Sequence, residues 1–341
     1  MKYNVADLKG RVRQIATKAG IPQEDASYIA DVLVTTDMRG IHSHGVVRLA
    51  RYIDCISAGG IIADAVPETI SETTTSLQVS AAGGLGIPAA IRTMQRLLEK
   101  AANQPIVMGT VNHSDHYGAA GHYSTMAADK GYLAFSMSNT CPLVAPTGGR
   151  AAAIGNNPFA YSAPGCKYRG ILFDVCMSKV ASGKLIIAAD EHKTIPEGWI
   201  LTKDGKPTTD PNEIWKDAIM LPFAEHKGYG FAIMVELMTA VLGMSGMMSS
   251  VHSWNTVPGR DANTGHAFII INPAFFGGEE QFRARVDAMI DELKACPTQE
   301  GVKEILYPGE LEWRREAYAL KNGLDLPEAS VKELERAEKM L

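Results

Sequence analysis

Residues 84–89 read GLGIPA. The hexapeptide fits G-x-G-x-x-A, follows the strand-like run SLQVS (76–80) and precedes the helical run PAAIRTMQRLLEKA (88–101). It stands where the phosphate-binding turn of a dinucleotide-binding βαβ unit would stand. A phosphate cradle here would make the domain a Rossmann fold; a plain turn would not. Two features favour the turn. Pro88 sits inside the motif, where it suits the first turn of a helix. The next strand-like run, PIVMGTV (105–111), ends without the carboxylate that would hold a ribose hydroxyl.

Outward from this turn, β-branched and aromatic runs recur: YLAFSMS (132–138), NPFAYSAP (157–164), ILFDVCM (171–177) and, late in the chain, NTGHAFIIINPAFF (263–276). Helical stretches separate some of them, among them AAGHYSTMAADKG (119–131), and this alternation implies an α/β layered domain. Upstream the texture is helical. Residues 5–19 end at Gly20, residues 22–40 open on Pro22 and stop at Gly40, and VRLARYIDCISAGG (47–60) closes on two glycines. Arg48 and Tyr52 are four apart and share a face of that third helix. The tail from 279 onward returns to charged amphipathic helix. The expected division is a helical part over 1–74, an α/β cofactor-binding domain over 75–290, and a C-terminal helical segment over 291–341 that packs with the first part.

The 341 residues are enough for a large core, and 46% apolar with 21% charged residues is a globular balance. A net charge of -5 with no Lys/Arg block argues against a nucleic-acid partner. The first twenty residues lack the apolar core of a secretory signal, and five cysteines without a CxxC read as reduced thiols, so a cytoplasmic location is expected. The apolar run FAIMVELMTAVLGMSGMM (231–248) contains Glu236 and two glycines, and reads as a buried helix rather than a membrane span.

Two short loops carry paired histidines: RGIHSHGVVR (39–48), with His42 and His44, and NHSDHYG (112–118), with His113 and His116. Three readings compete on spacing alone. The histidines could be ordinary polar loop residues. They could supply imidazoles to zinc or iron, although neither loop has an H-E-x-x-H arrangement. Or one could move a proton to or from a substrate oxygen while Arg48 grips an acid substrate with its planar fork.

The stretch Asp37-x-Arg39-Gly40-x-x-Ser43-His44-Gly45-x-x-Arg48 resembles the opening signature of the malate/L-lactate dehydrogenase family, the non-Rossmann NAD(P)-dependent oxidoreductases. Further pieces match in order over nearly the whole chain: His116 to Ala120, Ala145 to Gly149, Gly155 to Pro158, Phe173-Asp174, Lys227 to Gly230, Ile271 to Pro273 and Tyr307 to Glu310. The resemblance implies a three-layer α/β/α fold with a mixed sheet, related to sulfolactate dehydrogenase, beside a helical domain from both ends of the chain. It leaves GLGIPA as a turn. It implies hydride transfer between NAD (or NADP) and a small 2-hydroxy or 2-oxo acid in a homodimer, without a metal, with the site close to the subunit contact.

Carried over residue by residue, the resemblance makes His116 the catalytic acid/base and Arg48 the carboxylate clamp. Ser43 and His44 become the wall around substrate and nicotinamide, with His42 supporting the loop. Thr140, Asp174, Val175, Cys176, Lys227, Gly309 and Glu310 match stretches that hold the cofactor. On the substrate the signals conflict. Cys141, where some members carry aspartate, resembles malate- or lactate-type enzymes. The short segment between Pro211 and Lys227, SSVHSWNTVPGR (249–260) and the YPGE stretch (307–310) resemble ureidoglycolate-oxidising members, and the reading leans to ureidoglycolate and oxalurate. A malate/L-lactate-type dehydrogenase and a cyclic imine carboxylate reductase are the enzymatic alternatives. A metal- or ligand-binding protein built on the histidine cluster is the non-enzymatic one.

Overall fold

The computed structural model describes residues 2–341, apart from the side chain of Ile187. Asn4 starts the first helix, its side-chain oxygen accepting from the N–H groups of Ala6 (2.8 Å) and Asp7 (3.2 Å). Helices α1 (Val5–Lys18) and α2 (Gln23–Met38) pack together, and α3 (Leu49–Ala58) ends at Gly59 with φ 84°, a left-handed cap that glycine adopts without strain. Strands β1 (Glu68–Glu72) and β2 (Ser76–Gly84) lead into α4 (Gly86–Ala101) and β3 (Ile106–Ser114). Then follow α5 (Ala120–Ala128), β4 (Leu133–Ser138), β5 (Phe159–Pro164), β6 (Gly170–Val175), α6 (Ser182–Asp190), α7 (His226–Glu236) and β7 (Thr264–Ile271). Three helices close the chain: α8 (Glu279–Lys294), α9 (Glu310–Asn322) and α10 (Glu328–Lys339).

The seven strands form one sheet in the order β1-β2-β3-β7-β4-β5-β6. Only β2 and β3 run parallel, joined through α4; every other neighbour is antiparallel. The GLGIPA turn therefore serves a single parallel crossover inside a mixed sheet, not a doubly wound one. Alternation along the strands makes the layers. Val107 and Val111 of β3 pack with Met94 and Leu97 of α4, while Met108 points the other way, toward Met234, Val235 and Met238. The α4 side carries a second tier from α1, α2, α3 and α10, all in one core. The two ends of the chain meet: Lys2–Tyr3 pairs with Leu324–Asp325, and Arg11 holds Glu338 at 2.6 Å.

Four sequence expectations shift. Residues 68–72, placed in the helical part, form the edge strand of the sheet, and a boundary after 290 cuts through α8. A satellite core of Val144, Ile154, Met177, Leu185, Ile200 and Met220, beside a small sheet of residues 200–201, 207–208 and 219–220, has no counterpart in the sequence reading. The run 231–248 is not a uniformly buried helix. It is α7, then a π-helical turn Leu237–Val241, and it is buried on one side only. Leu237, Val241 and Met244 are exposed, whereas Glu236 is buried, accepting from the Asn157 amide (3.0 Å) and the Met248 N–H (2.6 Å). Among the described residues no helix is long and apolar enough to cross a membrane.

Candidate active site

The loop between α2 and α3 is built on Asp37. This fully buried carboxylate accepts from the Val46 N–H (2.7 Å) and pairs with His42 Nδ1 (2.8 Å). A Cβ on Gly45 would overlap it, so the glycine lets the loop close over the carboxylate. His42 thus supports the loop. Ser43 is the exposed part of the turn and His44 is half-buried, the two joined by an Oγ–Nδ1 bond of 2.9 Å. Arg48 donates from Nε to the Ser43 carbonyl (2.6 Å), and no carboxylate pairs with its guanidinium among the described residues.

His116 comes to this loop from the end of β3. Its ring stacks on Trp254 at 4.5 Å and lies 5.5 Å from the His44 ring. Nδ1 accepts from the Gly118 N–H (3.3 Å) and meets the Tyr52 hydroxyl at 2.8 Å. With Nδ1 accepting, the neutral ring carries its proton on Nε2. Burial, then the positive neighbours, hold the His116 pKa well below the ordinary histidine value; burial and Arg48 bring His44 down to about 3. Burial raises the Tyr52 phenol, so it stays protonated. Next to His116, the buried Asp115 accepts the His116 N–H (2.6 Å), and burial and Asp261 push its carboxyl up to about 7.

Two of these residues were absent from the expected site. Tyr52 was legible as a neighbour of Arg48 on one helix face, but its bond to His116 crosses 64 residues. Trp254 had no such signal. It covers His116, tilts against Tyr52 (5.5 Å) and lies 5.6 Å from the Arg48 guanidinium. Arg51 and Cys55 of α3 donate to its carbonyl and hold it there.

The four loop histidines do not converge. His42 turns to Asp37, His44 to Ser43, His113 to Asp261 (2.8 Å) and His116 to Tyr52. Among the described residues no group of three or more histidine, cysteine or acidic side chains is gathered for a metal.

The residues expected to hold a cofactor do not share one pocket. Asp174 and Gly309 share a pocket of about 360 Å³ with Leu172, Phe173, Leu306 and Leu311, and Ile41 of the loop between α2 and α3 is part of its wall. A Cβ on Gly309 would stand 2.7 Å from the Leu172 nitrogen, so only glycine lets this turn close on β6. Asp174 accepts from the Gly121 N–H at the start of α5 (2.7 Å), and burial raises its carboxyl to about 6. An acceptor beside apolar walls, next to the loop between α2 and α3, fits a nucleotide with ribose hydroxyls. The Glu310 side chain turns away from this pocket into pairs with Lys294 (2.8 Å) and Arg314 (2.6 Å). Thr140 belongs to a second cluster: its hydroxyl donates to Asn156 Oδ1 (2.9 Å) and its N–H to Asn157 Oδ1 (3.1 Å). Val175 and Cys176 lie at the end of β6, where Cys176 Sγ meets the Ser178 hydroxyl at 3.2 Å. Lys227 is exposed in the first turn of α7. A larger polar pocket, about 550 Å³ around Gly165 to Arg169, sits at the other end of α5 and contains none of the site residues.

A profile of the malate/L-lactate dehydrogenase family matches residues 3–335. A malate dehydrogenase of Pyrococcus horikoshii is 36% identical over 94% of this chain and 90% of its own length. A ureidoglycolate dehydrogenase (NAD(+)) of Escherichia coli strain K12 is 32% identical over 96% of this chain and 93% of its own. The solved structure of sulfolactate dehydrogenase from Methanocaldococcus jannaschii superposes with a TM-score of 0.91, covering 100% of this chain and 97% of that one at 32% identity. The fold, the order of the motifs and these likenesses agree, and the chain belongs to the malate/L-lactate dehydrogenase family of oxidoreductases.

Proposed function

We propose that the chain oxidises a small 2-hydroxy acid, or reduces the corresponding 2-oxo acid, with NAD as the hydride carrier, and that ureidoglycolate and oxalurate are its best-fitting pair. One observation carries the reading: a half-buried guanidinium without a carboxylate partner, Arg48, stands beside a neutral histidine under a shared aromatic cover. Such a cation suits the carboxylate of an acid. When bound, the nicotinamide gives or takes the hydride. Burial first and then the positive charge of Arg48 keep His116 neutral; a substrate carboxylate offsets that charge, and the ring takes up a proton as an oxo acid binds. Its Nε2 then hands that proton to the alkoxide, and the remaining Nδ1–H is accepted by the Tyr52 oxygen. In oxidation the ring takes the proton back.

The neutral character of the remaining wall supports the ureido substrate over a dicarboxylate. Cys141 is half-buried, and its thiol is held beside Ser253, next to Trp254. Arg51 is engaged by Asp54 and the Trp254 carbonyl, so of the two arginines Arg48 and Arg51 it is Arg48 that is left for an anion. A second carboxylate or a sulfonate would find no free arginine in this pair. Asp174 in the nucleotide pocket supports NAD, since a carboxylate there repels a 2′-phosphate. The exposed apolar side of α7 and its π turn, with Phe231, Leu237, Val241 and Leu242, suits the face of a homodimer.

The test is oxidation of NADH with a panel of oxalurate, pyruvate, oxaloacetate, sulfopyruvate and a cyclic imine carboxylate, repeated with NADPH. The expected ranking puts oxalurate first and NADH above NADPH. A higher kcat/KM for oxaloacetate or sulfopyruvate would overturn the ureido assignment, and turnover of the cyclic imine alone would overturn the hydroxy-acid reading.

A further inference from the structure

His266 is fully buried in β7, the strand between β3 and β4. Its ring is tied to both neighbours. The Ser138 hydroxyl on β4 has the carbonyls of Asn139 (3.0 Å) and Gly265 (3.1 Å) to donate to, so its oxygen accepts from His266 Nδ1 at 2.9 Å. With the proton on Nδ1, both nitrogens of the neutral ring are partnered. Nε2 keeps its lone pair and accepts from the Ser114 hydroxyl on β3, also at 2.9 Å. Burial favours the neutral ring by lowering its pKa to about 3. One face of the imidazole lies flat on Tyr117, with centroids 4.2 Å apart and planes 2° from parallel. Tyr117 also stacks on Tyr123 at 4.7 Å, and the Tyr123 hydroxyl donates to the Tyr117 carbonyl.

Ser114 and Tyr117 are the two residues that bracket Asp115 and His116. His266 holds the first by a hydrogen bond and the second by its ring face. Histidine alone among the side chains offers a donor, an acceptor and a flat ring at this size. We propose that His266 is a positioning residue for His116, fixing through Ser114 and Tyr117 the dipeptide that carries the acid/base imidazole. The proposal rests on the reading of His116 as that acid/base.

The test compares His266→Phe and His266→Gln in the full-length protein. Each is measured for kcat, KM, NADH affinity by fluorescence, melting temperature and the ¹⁵N signals of the His116 ring. Phenylalanine keeps a flat ring without either hydrogen bond, so kcat should fall about tenfold or more at unchanged NADH affinity, as a misplaced catalytic group predicts. The His116 signals should move from the Nε2–H tautomer to a mixture. Glutamine can donate to Ser138 and accept from Ser114, and should restore part of kcat. Folded variants with kcat within twofold of the wild type and unchanged His116 signals would overturn the proposal. If His266→Phe does not fold, Ser114→Ala removes one of the two ties and is held to the same outcomes. An inactive His116→Asn enzyme beside fully active His266 variants would overturn the positioning role alone. A His116→Asn enzyme with normal turnover would overturn the acid/base reading and this proposal with it.

Discussion

Gly86 and His116 are packed backbone to backbone. A Cβ on Gly86 would overlap the Asp115 carbonyl oxygen and come within 2.9 Å of the His116 carbonyl group. The second glycine of the GLGIPA turn therefore lets the N-terminus of α4 close on the segment that bears His116, the proposed acid/base. Gly86→Ala must push that segment aside. The expected result is a lower melting temperature and a kcat reduced about ten- to a hundredfold, while NADH affinity stays near the wild-type value. Loss of NADH binding in a variant that folds and melts normally would restore the phosphate-cradle reading.

Arg48 makes the second prediction. Arg48→Lys keeps a positive charge but removes the planar fork and the Nε bond that ties the guanidinium to the Ser43 carbonyl. Loss of a charge-assisted hydrogen bond costs about 1.5–3 kcal/mol, so kcat/KM for acid substrates should fall about ten- to a hundredfold. NADH affinity should be unchanged. Steady-state kinetics with normal kcat/KM on every acid of the panel would remove Arg48 from the site.

His116 makes the third. His116→Asn should lower turnover by about 10²–10⁴-fold with folding and cofactor binding intact. The pH profile carries the sign. Burial and Arg48 lower the free-enzyme pKa, and oxidation needs the neutral ring. The acid limb of kcat/KM for oxidation should therefore lie below about 6.5, the ordinary histidine value. Tyr52→Phe removes the oxygen that accepts Nδ1–H from the protonated ring, and should move that limb further down. A limb above 6.5 in the wild type, or a limb that survives in His116→Asn, would reject the assignment. Inactivation by EDTA with recovery on added metal would reject it in favour of a metal site.

The layered α/β class and the helices at both ends were legible because periodicity reports which face of an element is buried: SLQVS and PIVMGTV alternate as strands of the sheet. Strand order was not legible from periodicity, since one parallel pair in seven strands depends on contacts between distant segments. The edge strand Glu68–Glu72 is exposed along its whole length and so lacks the alternation that marks a half-buried strand. The site was legible in part. Arg48 and His116 sit in dense polar motifs, and the roles proposed for them rest on the family likeness. Trp254 lies in an irregular loop, and only the fold brings it onto His116. Asp174 and Gly309 meet across 135 residues in a pocket that no local pattern announces.

Asp115 makes the last prediction. Its buried carboxyl is raised to about 7, above the ordinary value of 3.8, by burial first and by Asp261 as well. Between roughly pH 4 and 7 the folded protein holds a proton that the unfolded chain has released, so this group's contribution to stability declines as pH rises through that window and is level above it. Asp174 and Asp37 are shifted in the same direction, so the difference between wild type and variant, not the wild-type curve, isolates Asp115. Asp115→Asn keeps an oxygen that can accept the His116 N–H and carries no charge at any pH. Its melting temperature should exceed that of the wild type at pH 8 and approach it at pH 5, with kcat changed only a few-fold. The thermal unfolding of the two proteins across pH 5–8 decides the matter. A variant less stable than the wild type at pH 8 would mean that Asp115 is held as a stabilised carboxylate, in which case Arg51 and the His116 N–H would outweigh the cost of burial.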